Sequence, residues 1–201
     1  PGGRSVPAVF DRKTGELRYF ELNAGGKGSG GAFVAADDSV FYVHTRLKGV
    51  REFNLPKGEK TAFQPNEPVL HGEYVYSAES TKEGSPVIRA YNAARKVMWE
   101  IPVDGRGDLI LAGNKLYAAG AEELTAVALP APGSTDQPAV VWSTKAAGQI
   151  ERLLAADGKL FAVTLEGHIL AFGQAATAAA GGSLIAISPE PLPVSEEQSQ
   201  L

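Results

Sequence analysis

Four stretches of the chain repeat one pattern: a short apolar strand, a tight turn and a second apolar strand. They begin at Phe33, Pro68, Leu109 and Arg152, and their turns carry Asp37-Asp38, His71-Gly72-Glu73, Gly113-Asn114 and Asp157-Gly158. Asp, Asn and Gly tolerate the positive φ angles that tight hairpins need. Aligned on those turns, the second strands form columns. Val40, Val75, Leu116 and Leu160 share one, and Phe41, Tyr76, Tyr117 and Phe161 share the next. Val43, Ala78, Ala119 and Val163 lie two residues further on, beside the aromatics. Successive residues of a strand face opposite sides of its sheet. The aliphatic and aromatic columns therefore cover opposite faces, and both faces need burying.

Each hairpin continues into a third strand: Gly49–Phe53, Val87–Tyr91, Leu124–Ala128 and His168–Phe172. A short fourth strand follows: Lys60–Phe63, Lys96–Ile101, Ala139–Ser143 and Ser183–Ser188. From Val40 through Val75 and Leu116 to Leu160 the steps are 35, 41 and 44 residues. Four short antiparallel strands at a period of about 40 residues describe a β-propeller blade. The expected fold is all-β, within a unit over 1–188, with blades over about 32–63, 66–101, 107–143 and 150–188. Val6–Phe10 and Leu17–Phe20 read as the third and fourth strands of a further blade, an outer half blade over 6–20. That leftover half predicts a segment of a larger propeller of seven or eight blades. Such an arc leaves apolar faces of the Phe41, Tyr76, Tyr117 and Phe161 type exposed at its ends, which predicts self-association through the terminal blades or a protein partner that covers them. Residues 189–201 carry three Pro and three Glu and read as a flexible tail or linker. The start at Pro1, with neither Met nor a signal peptide, predicts that the native N-terminus lies upstream.

Ala8-Val9-Phe10-Asp11-Arg12-Lys13-Thr14-Gly15-Glu16-Leu17-Arg18-Tyr19 resembles the repeat of pyrroloquinoline-quinone-like (PQQ-like) propellers, A-x-D-x-x-x-G-x-x-x-W. Its Ala is offset by one residue, and Tyr19 stands where Trp is usual. Tyr91-Asn92 to Trp99 keeps the Trp after a shortened turn, and Val141-Trp142 keeps it after the insertion Pro130–Pro138. The resemblance covers residues 6 to 188 and is to the non-catalytic, BamB-like branch. It implies that the Trp docks neighbouring blades. It also implies a bacterial protein-interaction scaffold of the cell envelope or periplasm rather than an enzyme. The alternative is a propeller segment of a larger enzyme whose catalytic domain or quinone site lies outside this chain.

The residues offer no chemistry that competes with this reading. With 19 basic against 23 acidic side chains the net charge is −4, without the basic excess of a nucleic-acid binder. There is no Cys, which removes disulfides, thiolate metal sites and cysteine nucleophiles. The longest low-charge stretch, Ala175–Ser188, is too short and too polar to span a bilayer as a helix. Gly26-Lys27-Gly28-Ser29-Gly30-Gly31 satisfies G-x-G-x-x-G but precedes a hairpin rather than a helix, so it reads as an inter-blade loop. His44, His71 and His168 fall at different blade positions and predict no metal site. No carboxylate cluster suggests calcium or quinone, and no base is placed beside a nucleophile, so neither a cofactor nor a catalytic residue is expected. What remains is Arg46, Lys48 and Arg51 around one loop between second and third strands. The equivalent loops carry Lys82-Glu83 and Glu122-Glu123. Loops on a rigid scaffold commonly carry binding, so this rim is the candidate partner-docking site.

Overall fold

The computed structural model describes residues 5–22, 33–44, 49–131, 133–173 and 185–186. No helix occurs among them. A two-stranded half blade comes first, β1 (Ser5–Phe10) and β2 (Leu17–Leu22). Blade I holds β3 (Val34–Ala36), β4 (Val40–His44), β5 (Val50–Asn54) and β6 (Lys60–Gln64). Blade II holds β7 (Val69–His71), β8 (Tyr74–Ser80), β9 (Pro86–Tyr91) and β10 (Val97–Ile101). Blade III holds β11 (Asp108–Ala112), β12 (Lys115–Ala119), β13 (Glu123–Ala128) and β14 (Ala139–Lys145). Blade IV holds β15 (Ile150–Ala156), β16 (Lys159–Thr164), β17 (Ile169–Gly173) and β18 (Ile185–Ala186). Every sheet is antiparallel in sequence order, the meander of a propeller blade. The tail at 189–201 and the glycine-rich run at 26–31 lie outside the described residues.

The turns explain why the hairpins repeat. Gly72, Gly113 and the pair Asp157-Gly158 have φ between 50° and 69°, the left-handed values of a two-residue hairpin turn. Blade I uses a different device. Asp37 Oδ1 accepts hydrogen bonds from the Ser39 and Val40 amides at 2.7 and 2.8 Å, so the turn pivots on Asp38-Ser39.

That device shifts the register of blade I by one residue against the alignment expected above. The ladders pair Ala36 with Phe41, Leu70 with Val75, Leu111 with Leu116 and Ala155 with Leu160. Phe41 therefore belongs with Val75, and Tyr42 belongs with Tyr76, Tyr117 and Phe161. The stretch Val40-Phe41-Tyr42-Val43 is apolar on both faces, so composition fits either register and only the turn decides. Phe41 consequently faces the half blade, where it stacks on Phe53 at 5.3 Å and packs with Val9 and Leu55.

Two of the blade interfaces are apolar. Tyr76, Ala78 and Ile88 of blade II meet Leu109, Leu116 and Ala118 of blade III. Ala119 and Leu124 of blade III meet Leu153, Leu160 and Ala162 of blade IV. Fourth strands add a fixed element. Arg18, Thr61, Met98 and Val141 are each an extra residue in the ladder between third and fourth strands. Such a bulge re-aims the residue after it, which is Tyr19, Ala62, Trp99 or Trp142. Trp99 stacks on Tyr76 at 5.7 Å against the II/III core. Trp142 meets Phe172 of blade IV edge-on at 5.6 Å. The Tyr19 hydroxyl donates to the Leu55 carbonyl of blade I at 2.6 Å. These are the docking contacts that the aromatic of the repeat implies.

Blade I has Ala62 at that position, and its junction with blade II is polar. Tyr42 is fully buried, and Glu52 is 2% exposed. The Glu52 carboxylate accepts from the Tyr42 hydroxyl and from Thr61 Oγ1, the latter at 2.7 Å, and forms an ion pair with Arg95. Arg95 comes from the β9–β10 turn of blade II and also donates to the Tyr42 hydroxyl at 3.0 Å. Burial, with the Glu52 carboxylate second, pushes the Tyr42 phenol well above its ordinary pKa. An arginine latch here replaces an aromatic dock.

Candidate functional site

The ladder register defines one more column, at the entry to the first strand of each blade. Three residues ahead of Ala36, Leu70, Leu111 and Ala155 stand Phe33, Glu67, Asp108 and Arg152. First strands are the innermost of a blade, so this column meets at one mouth of the axis. His44, at the end of β4, joins it. His44 Nε2 lies 2.8 Å from Glu67 Oε1, and Arg152 NH1 lies 3.3 Å from Glu67 Oε2. Glu67 thus ties blade I to blade IV, while the His44 ring rests 5.8 Å from Phe33.

Asp108 closes the other side. Its Oδ2 accepts from the Leu153 amide of blade IV at 2.7 Å, and its Oδ1 from the Leu109 amide at 2.9 Å. Arg106 forms a two-pronged pair with Asp104, both contacts at 2.9 Å, and reaches Ser80 Oγ at 3.4 Å. His44, Glu67, Arg106, Asp108, Glu151 and Arg152 line a depression of about 390 Å³. The mouth carries both signs of charge and contributions from all four blades.

The two aspartates titrate in opposite directions. Burial raises the pKa of Asp108 above the ordinary 3.8, against its backbone donors and Arg152. The Arg106 guanidinium lowers that of Asp104. A raised folded value means that Asp108 favours the folded state below pH 3.8, and that this contribution is lost as pH rises through the folded pKa. Asp104 behaves inversely, stabilising above 3.8 and losing that contribution as pH falls through its lowered value. A carbon-13 carboxyl titration by NMR is expected to place the Asp108 midpoint above 3.8 and the Asp104 midpoint below it. The reverse order would show that Asp108 is hydrated rather than buried.

The rim residues expected from sequence divide. Arg46 and Lys48, between β4 and β5 in sequence, lie outside the described residues. Arg51 lies in β5 itself, half-buried, opposite Val43 and Phe63 in the ladder. It belongs to a blade face more than to a loop. His71 sits at the opposite end of the blades from His44, and His168 precedes β17. No group of three His, Asp or Glu side chains suited to a metal occurs among the described residues. Glu67, Asp108 and Arg152 share one column of the repeat already in the sequence alignment, eight residues ahead of Val75, Leu116 and Leu160, and only Phe33 needs the shifted register of blade I to join them.

Comparison with solved structures places this architecture among the propellers. The chain is similar to BamB from Moraxella catarrhalis, with TM-score 0.59 and 14% identity over 83% of this chain and 54% of that one. It is similar to the Cps50 (Swd1) β-propeller domain of Myceliophteria thermophila, with TM-score 0.62 and 11% identity over 91% and 66%. A chain of the mitotic checkpoint complex gives TM-score 0.59 and 10% identity over 84% and 56%. The chain spans about half to two thirds of the length of these structures. At these identities the likeness is one of fold. No protein-family model and no curated protein matches the sequence.

Proposed function

We propose that the chain is a non-enzymatic protein-interaction scaffold of the PQQ-like, BamB-like kind. Partners would dock on the end of the propeller that carries the axial mouth, and the rim residues named from sequence, Arg46 and Lys48, are proposed to contribute to that contact. The observation that carries this reading is the convergence of His44, Glu67, Asp108 and Arg152, one from each blade, in a shallow mouth of mixed charge. Glu67 is engaged by His44 and Arg152, and Asp108 by two backbone amides, so neither is free to act as a base. What the mouth offers is a rigid charge pattern, which serves specificity and encounter rate. The resemblance to BamB further supports a bacterial cell-envelope setting, and the Pro and Glu content of 189–201 supports a tail or linker after a repeat unit over 1–188. A second contact is proposed through the outward face of blade IV, where Leu154 is 61% exposed and Val163 and Ile169 lie beside it in the open. That face fits self-association or further blades.

Site-specific photo-crosslinking tests both parts. A crosslinker at position 46 or 48 is expected to capture one discrete foreign protein, and one at position 163 a second copy of the chain. Glu67→Ala and Arg152→Ala should abolish the first adduct while costing under about 1 kcal/mol of stability, because the pair is partly exposed. Loss of neither adduct, or stoichiometric calcium-dependent binding of a quinone, would overturn the reading.

A further inference from the structure

The end of the propeller opposite the mouth holds two repeat-equivalent clefts, one at each apolar blade junction. The II/III cleft is lined by Tyr74, Tyr76 and Trp99 and is walled by residues of this chain's own insertion, Pro130–Ala131 and Gly133–Gln137. Leu129, which opens that insertion, packs on the II/III core. About 400 Å³ remains open there. The insertion bears prolines and Asp136 and makes a turn in which the Ser134 amide donates to the Ala131 carbonyl at 2.9 Å.

The III/IV cleft has the same aromatic base and no such wall among the described residues. It is lined by Tyr117, Trp142 and Phe172 and measures about 840 Å³. Trp142 is 38% exposed, and Val140 and Val141 beside it are about half exposed. Where blade II has Tyr74, blades III and IV have Lys115 and Lys159, paired with Ala112 and Ala156 at the two hairpin tips. Neither lysine is in an ion pair among the described residues. Lys115 Nζ has only a long contact of 3.4 Å to Asn114. Asp157 is the one carboxylate among the residues lining the cleft.

We propose that the III/IV cleft is a docking groove for an extended, proline-containing, acidic segment of a partner protein. Its apolar residues would cover Trp142 and Phe172, and its carboxylates would meet Lys115 and Lys159. The chain offers a partial template, since its own proline-bearing insertion lines the neighbouring cleft beside Tyr74, Tyr76 and Trp99. Lysines are point charges without the bidentate geometry of arginine. They suit carboxylates spaced along a strand better than one planar anion. Residues 174–184, which follow Gly173 at the cleft edge, contain no charged side chain and so supply no partner for the lysines. The groove is separate from the mouth and does not depend on the scaffold reading above.

The test uses a fluorescein-labelled synthetic peptide of about ten residues made of Glu, Leu and Pro, with a Lys-for-Glu version as control. Saturable anisotropy is expected for the acidic peptide alone, weakening with salt. K115E combined with K159E should weaken it by about tenfold or more, with an unchanged melting temperature. Arg152→Ala, at the far mouth, should leave it unchanged. In a Trp99→Phe background the acidic peptide should also shield Trp142 from acrylamide. The proposal fails if the basic peptide binds equally, or if charge reversal has no effect. It fails too if Trp142 is already shielded in the chain alone, which would mean that the chain fills the groove itself. A dimer that the double reversal abolishes would assign the groove to a second copy instead.

Discussion

Replacing Glu52 with Ala is expected to detach blade I from blade II. The carboxylate is the hub of the latch, holding Tyr42, Thr61 and Arg95 together. Its loss leaves a buried phenol hydroxyl and a guanidinium without their acceptor. Removing one partner of a buried ion pair costs about 3 to 5 kcal/mol. Arg95 is partly open to water and can recover some hydration, so a loss of about 3 kcal/mol is expected here. Glu52→Gln keeps an acceptor for one donor and should cost about half as much, as a neutral hydrogen bond is roughly half as strong as a charged one. Hydrogen exchange gives the distinguishing readout. Repeat arrays unfold by neighbour interfaces, so the half blade and blade I should exchange faster while blades II to IV keep their protection. Uniform acceleration in all blades would show that the latch is not a local interface but part of one cooperative core.

The latch also shows why the sequence is easier to read at some junctions than at others. Blades II to IV carry the aromatic column and the positive-φ turn in their usual places, and blades II and III carry the Trp after the bulge. Their strands, order and packing faces follow from the repeat alone. Blade I departs at three points that reinforce one another. Its turn pivots on Asp38-Ser39 under the side chain of Asp37, its bulge is followed by Ala62 rather than an aromatic, and its buried face carries Glu52. A buried carboxylate reads as surface until its partners are known, and Arg95 lies 43 residues further along the chain. The one-residue slip in blade I displaced only Phe33 from the column, since Glu67, Asp108 and Arg152 each stand eight residues ahead of Val75, Leu116 and Leu160 in either register. A register error moves every side chain of a strand to the other face, and here it exchanged Phe41 and Tyr42 between the two faces of blade I. What the alignment alone does not show is that the entries of the first strands converge, which brings the charged column together with His44.

The two ends of the propeller also divide the work. At the mouth, Glu67 and Asp108 are held by His44, Arg152 and backbone amides, which fixes a pattern of charge. At the opposite end, Trp142 is partly exposed, and neither Lys115 nor Lys159 is in an ion pair among the described residues. Rigid charge patterns select a partner, whereas open apolar clefts with unneutralised cations supply affinity. On the scaffold reading proposed above, the chain would hold two partners at once, since the blades separate the two surfaces.

Replacing Gly107 with Ala is expected to damage both the fold and the mouth. A Cβ built there would lie 2.9 Å from the carbonyl oxygens of Ala119 and Ile150. Neither obstacle is a flexible side chain. The Gly107 amide itself donates to Ala119 O at 2.9 Å, and Ile150 opens β15, so the backbone is enclosed between blades III and IV. Relief requires moving a strand, and overpacking of this kind costs about 1 to 3 kcal/mol, here at the upper end. For a chain of this length that lowers the melting temperature by about 6 to 12 °C. Gly113→Ala is the matched control. It has φ of +61° but nothing within 4 Å of a new Cβ, so only backbone strain of about 1 kcal/mol is expected. The neighbouring Asp108 carries the second effect, because its bond to the Leu153 amide spans the same junction. Displacing Gly107 should release that bond and admit water to the carboxylate. The Asp108 midpoint in the NMR titration would then fall towards 3.8, while Asp104, held by Arg106 on its own loop, would stay below it. An unchanged Asp108 midpoint together with a lowered melting temperature would separate the blade junction from the mouth and sink the claim that Gly107 supports both.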